Sequence, residues 1–143
     1  MTRETKKSPA NLDPHTAEGF DRIWKRYGSP EAHGGSLEKS DAFEAYFSIF
    51  PMERLASAEG FDLGCGNGAS TRKAARMSEP GKVVGIDLST AMLTNARVRS
   101  AAAGLANVTF VHGDAQVHDF EPDSFDFIIS NAGAMFFDDK VAA

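Results

Sequence analysis

Gly64, Gly66 and Gly68 fall on alternate residues between an apolar run, Phe61-Asp62-Leu63, and a helix-forming stretch that begins at about Ser70. Glycine has no Cβ, so it takes up positive φ cheaply and lets a ligand approach the backbone closely. The first N–H groups of the following helix have no partner within it and face whatever the loop approaches. The pattern predicts the end of a buried strand, a turn shaped around a ligand, and a helix. Further strand-like runs alternate with helical ones downstream, which calls for a parallel sheet linked by crossovers.

The spacing narrows the ligand. A dinucleotide fingerprint needs G-x-G-x-x-G, with a pyrophosphate held at the helix N-terminus. Here the third glycine comes one residue early, and Ala69 holds the place the fingerprint reserves for glycine. Asp62 lies two residues before the first glycine, where a carboxylate repels a pyrophosphate but accepts from an ammonium group. Val83-Val84-Gly85-Ile86-Asp87 reads as a second strand, with its acid 19 residues after Gly68. A carboxylate at such a strand tip accepts from both hydroxyls of a ribose. Val108-Thr109-Phe110-Val111 reads as a third strand, followed by His112-Gly113-Asp114-Ala115. Phe125-Asp126-Phe127-Ile128-Ile129 reads as a fourth, followed by Ser130-Asn131.

In order and spacing these four segments resemble the class I S-adenosylmethionine (SAM) dependent methyltransferases, in their small-molecule, type 11-like branch. The first motif of that family is D/E-x-G-x-G-x-G. The resemblance implies an α/β fold, a Rossmann-like doubly wound parallel sheet with strand order 3-2-1-4-5-7-6. The sequence accounts for four of those strands, so the expectation is a sheet truncated after the fourth, with N-terminal helices. It also implies SAM as cofactor. Asp62 would order the loop and receive the methionine ammonium group, directly or through water, while Gly64, Cys65, Gly66 and Gly68 form the loop. Asp87 would hold the ribose, and Gly113, Asp114 and Ala115 the adenine amine. Leu88 and Met92 either cover the adenine face or belong to the helix core, and Ser130 stands where the family makes methionine and substrate contacts. No residue is marked as catalytic. An activated methyl donor leaves proximity and orientation to supply much of the acceleration.

Other residues read more blandly. Cys65 has no basic partner to lower its pKa and reads as filler. His112 and His118 read as solvent-facing, and nothing in the spacing of His15 and His33 marks a metal site. Trp24, Tyr27, Tyr46 and Phe47 recur at helical spacing, as core residues or as walls of a pocket. Ser130-Asn131 is not the Asn-Pro-Pro-Tyr motif used on base or glutamine amino groups.

The chain divides into a polar tail over residues 1–12, a helical lid region over 13–56, and a cofactor-binding half-domain over 57–143. In the lid region Asp13-Pro14 opens a helix that Gly28 stops, Ser29–Gly35 is a loop, and Ser36 or Ser40 caps a second helix through about Phe50. Pro51 restarts a short helix ending near Leu55. Asp138–Ala143 looks like the first turn of another. A net charge of −5 opposes a broad nucleic-acid surface. One cysteine among 143 residues fits a reducing cytoplasm, and no apolar run is long enough to span a membrane. The expected partner is a small-molecule methyl acceptor, with no nucleic acid and no membrane. The exposed edge of the fourth strand leads to the expectation of either self-association through that edge or a chain cut from a longer protein. Two rival readings are a SAM-binding module without turnover and a nicotinamide-dependent oxidoreductase.

Overall fold

The computed structural model describes residues 17–19, 21, 22, 25, 38–131 and 133–137. Within the expected first helix, residues 17–19, 21, 22 and 25 are helical. The tail, Trp24, Tyr27, His15, His33, the 29–35 loop and the expected terminal helix lie outside the described residues.

Two short helices precede the sheet. α1, Asp41–Ser48, starts where the Ser40 hydroxyl accepts from the Phe43 N–H at 3.2 Å. It buries Phe43 and Phe47. α2, Met52–Leu55, follows Pro51, which stands at its N-cap in an extended conformation and offers no side-chain cap.

Four parallel strands then form one sheet: β1, Gly60–Leu63; β2, Val83–Asp87; β3, Val108–His112; β4, Phe127–Ile129. Their spatial order is β3-β2-β1-β4, the first part of the order the resemblance implied. α3, Ala69–Ser78, connects β1 to β2 and starts one residue earlier than expected. α4, Thr90–Ala102, connects β2 to β3. Ser89 caps α4 as expected, accepting from the Met92 N–H. Gly104 sits just past its end with φ +70°.

β4 is shorter than the 125–129 run predicted. Phe125 and Asp126 are diverted from the ladder. The Phe125 ring stacks on Phe61 at 4.8 Å, and the Asp126 carboxylate takes the Glu59 N–H at 2.8 Å. Tertiary packing outcompeted strand propensity there.

The register sets the two faces. Gly60 pairs with Val83 and Phe127, and Val83 with Val108, so one alternating set faces α3 and α4. On that side Phe43, Phe47, Ala69, Ala74, Ala75, Val83 and Ile129 form one cluster, and Cys65, Leu93, Ala96 and Phe110 a second. Phe61 belongs to the other set and packs against Phe120 and Phe125 from the β3–β4 connection. Fully burying a side chain of this size contributes about 2–3 kcal/mol. Among the described residues no strand pairs with the outer edge of β4, where Ile128 is 60% exposed. No helix among them is long and apolar enough to cross a membrane.

Candidate functional site

In this strand order the connections leave β1 toward β2 on one side and reach β4 on the other. A crevice therefore opens at the carboxyl ends of β1 and β4, where open α/β sheets bind ligands. A cavity of about 190 Å³ lies there. Its walls are the glycine turn at Gly64 and Gly66, the β2 tip at Ile86, Asp87 and Leu88, and Met92 of α4. The β3 exit contributes Gly113, Asp114, Ala115 and Gln116, and the segment after β4 contributes Asn131, Gly133, Phe136 and Phe137.

The turn itself is built from left-handed glycines. Gly64, Gly66 and Gly68 have φ of +69°, +53° and +80°, and Gly68 caps α3 from that conformation. At Gly66 a Cβ would meet nothing within 4 Å except the Met92 sulfur at 3.5 Å, so this side of the turn faces open space. At Gly64 the limit is the opposite one. A Cβ would come within 2.6 Å of the Gly133 Cα, and one on Gly133 within 2.1 Å of the Leu63 carbonyl oxygen. The two backbones touch through paired glycines, which joins the segment after β4 to the tip of β1.

Asp87 holds this wall together. Its Oδ2 accepts from the Gly66 N–H at 2.8 Å and its Oδ1 from the Ser89 N–H at 2.9 Å. Burial raises its pKa above the ordinary carboxylate value, and these N–H groups work against the rise. The Leu88 N–H also bonds this carboxylate, so of about four acceptor sites on its two oxygens three are engaged and about one is left for a hydroxyl. Ser89 also donates its hydroxyl to Asp21 in the N-terminal helical stretch.

Asp62 lies beneath the turn and is 1% exposed. Its Oδ2 accepts from the Thr71 hydroxyl at 2.7 Å, and its Oδ1 has no hydrogen-bond partner among the described residues. Burial pushes its pKa up to about 7; the Thr71 hydroxyl opposes the rise and the Asp87 charge adds to it.

The expected site residues thus fall into two groups. Gly64, Gly66, Asp87, Leu88, Met92, Gly113, Asp114 and Ala115 line one cavity. Asp62, Cys65, Gly68 and Ser130 lie outside its walls. The Ser130 hydroxyl donates to the Leu63 carbonyl at 3.0 Å and accepts from the Ala134 N–H at 2.8 Å, so it braces the two walls. Cys65 packs against Leu93, Ala96 and Phe110, and burial holds its thiol well above the usual range, which fits filler and not a nucleophile. His112 and His118 are exposed, and the His112 ring bonds the Leu88 carbonyl at 3.0 Å. Among the described residues no cluster of His, Cys, Asp and Glu is fit to hold a metal ion.

Sequence reasoning missed several residues. Gln116, Gly133, Phe136 and Phe137 complete the cavity. Arg72, 2% exposed, donates to the Asn67 carbonyl at 2.8 Å and to Glu38 at 2.7 Å, clamping the back of the glycine turn. Tyr46, already singled out in the sequence as core or pocket wall, has a raised pKa, chiefly from burial, with the Ser130 backbone opposing and Asp62 adding. An arginine at α3's fourth position, four residues past Gly68, was the one signal available for the clamp.

Comparison with known proteins decides the family. Residues 61–143 match the model of a methyltransferase domain. The chain belongs to the methyltransferase family. It is of the class I, SAM-dependent kind, and the nicotinamide reading is set aside. An aklanonic acid methyltransferase of Streptomyces sp. (strain C5) is 35% identical over 92 residues, covering 64% of this chain and 42% of that protein. A demethylmenaquinone methyltransferase of Shouchella clausii is 32% identical over 83 residues, covering 57% of this chain and 35% of that protein. The solved S-adenosylmethionine dependent methyltransferase from Mesorhizobium loti is 31% identical, with a TM-score of 0.54. That match covers 66% of this chain and 40% of that one. The methyltransferase domain described here spans about two-fifths of the length of these curated relatives.

Proposed function

We propose that this chain carries the SAM-binding part of a methyltransferase acting on a small-molecule acceptor. One observation carries the reading: the glycine turn, Asp87 and Gly113-Asp114-Ala115 converge on a single cavity. The residues fit the cofactor. Gly66 leaves the cradle that a side chain would fill, and the orphaned Oδ1 of Asp62 lies under the turn with no cation among the described residues bonded to it.

In this assignment the remaining acceptor capacity of Asp87 takes the ribose, and Asp114 takes the adenine amine. Leu88 and Met92 cover the purine, and the turn carries the methionine portion. Gly68 and Cys65 shape that turn from behind. Asp62 counters the ammonium charge through the turn, and Ser130 fixes the wall facing it. The bound cofactor supplies a sulfonium-activated methyl group for in-line displacement by an acceptor O, N, C or S atom. The chain's own residues orient the two reactants and exclude water, a contribution proximity alone makes large.

The acceptor class rests on the small-molecule substrates named for the relatives and on the apolar Phe136 and Phe137 at the cavity. The lid region, residues 13–56, is assigned to cover this side, supported by the Ser89–Asp21 bond. The outer edge of β4, with Ile128 exposed, is the assigned place for self-association, checked by sedimentation velocity with Ile128→Lys. The single buried cysteine supports a cytoplasmic setting.

Calorimetric titration with S-adenosylhomocysteine tests the cofactor reading. Binding that Asp87→Ala abolishes is the expected result, and a folded chain that binds nothing overturns it. A binding module without turnover is separated from an enzyme by incubating the chain with labelled SAM and a panel of phenolic and quinol acceptors.

A further inference from the structure

We propose that Gln116 is the positioning residue that makes this cavity selective for a 6-aminopurine, a role that rests on the cofactor reading above. Asp114 is buried, at 7% exposure, and its carboxylate is an acceptor only. A carboxylate free to rotate about its terminal torsion recognises a donor from many directions and so discriminates weakly. Here the torsion is fixed by the residue two positions on. The Gln116 backbone N–H donates to Oδ1 at 2.9 Å, and its side-chain Nε2 reaches the same oxygen at 3.2 Å and Oδ2 at 3.5 Å.

The turn around it is itself held. The Asp114 carbonyl accepts from the N–H groups of Val117 at 3.2 Å and His118 at 2.9 Å. Both Asp114 and Gln116 line the cavity. With two donors on Oδ1, the other oxygen is left with the greater acceptor capacity. A ligand group that meets it must be a donor. An exocyclic amine satisfies that oxygen, whereas a 6-oxo group sets acceptor against acceptor and leaves a buried charge unpaired. Gln116 therefore acts through Asp114, by holding its carboxylate plane where only the amine fits.

The test compares S-adenosylhomocysteine with S-inosylhomocysteine, which carries the 6-oxo group, by calorimetry on the wild-type chain and on Gln116→Ala and Gln116→Glu. The wild-type chain is expected to prefer the adenosyl ligand by about 100-fold. Gln116→Ala keeps the backbone donor and lowers that preference by about tenfold, by weakening the adenosyl ligand alone. Gln116→Glu, isosteric but without the donor, lowers it at least as far. Equal weakening of both ligands, or an unchanged ratio, overturns the proposal. A wild-type chain that binds neither ligand overturns the cofactor reading itself. Binding of S-inosylhomocysteine by the variants reports that they remain folded.

Discussion

β1 and β2 lie side by side, each carries an aspartate near its carboxyl end, and the two carboxylates work differently. Asp87 at the β2 tip faces the cavity and is held at both oxygens by backbone N–H groups. Asp62, one residue short of the β1 end, is sealed under the glycine turn with a hydroxyl on one oxygen and no partner on the other. Both have raised pKa values because burial disfavours charge. The difference teaches what each is for. A carboxylate already satisfied by amides and open to a cavity is a rigid acceptor for neutral hydroxyls. A buried carboxyl with an orphan oxygen is a place that takes up either a proton or the influence of a nearby cation.

The largest expected effect tests the β1 side. Asp62 has a folded pKa of about 7 against an ordinary value of 3.8. Folding then takes up a proton, so stability is full below about pH 4 and declines until about pH 7, by about 4 kcal/mol in all. Asp62→Asn is expected to flatten that decline in urea titrations run from pH 4 to 8; a slope equal to that of the wild type would refute the difference drawn here. On the β2 side, Asp87→Ala is expected to weaken S-adenosylhomocysteine by at least about 100-fold, since it removes the proposed diol acceptor and frees the Gly66 N–H. Asp87→Asn, keeping one acceptor oxygen, is expected to fall between. Equal affinities for the two variants would mean that Asp87 serves only to tie down the turn.

Where the two tips meet the third wall, Gly133→Ala is expected to cost about 3 kcal/mol, because its new Cβ points at the Leu63 carbonyl. Thermal denaturation reads this directly, and an unshifted midpoint would show that the two backbones can part. The smallest effect belongs to Thr71→Val, about 1 kcal/mol from the lost hydroxyl. The same change is expected to raise the Asp62 midpoint further, visible in the carboxyl carbon shift by NMR.

Much of this was legible in the chain. Three glycines, Asp87 and Gly113-Asp114-Ala115 announced themselves because each is a local requirement: a positive φ, a strand-end acid, a turn. Ser40, Ser89 and Gly104 were readable as caps for the same reason. Gly133 was not, since its identity is dictated by Leu63 and Gly64, more than sixty residues earlier. Arg72 has no motif in the chain to set it apart; only its contacts with Glu38 and the Asn67 carbonyl give it a role. Gln116 had no periodicity or motif to mark it, and its role arises from a side chain folding back two residues. The strand at 125–129 was read too long because Phe125 has the composition of a strand residue, and only the Phe61 ring explains its departure.

The strand order also carries a consequence in time. β1 and β2 join residues 23 apart in the chain, and β2 and β3 residues 25 apart, whereas Gly60 and Phe127 are separated by 67. Closing the longest of these loops costs about 1 kcal/mol more than the shortest, and non-local pairings form late. The glycine turn and Asp87 therefore belong to the more local pairings, while Asn131, Gly133, Phe136 and Phe137 depend on the least local of the three. A chain in which β4 has not docked has Asp87 and the glycine turn in place and no opposite wall, so the cavity takes shape only with that pairing.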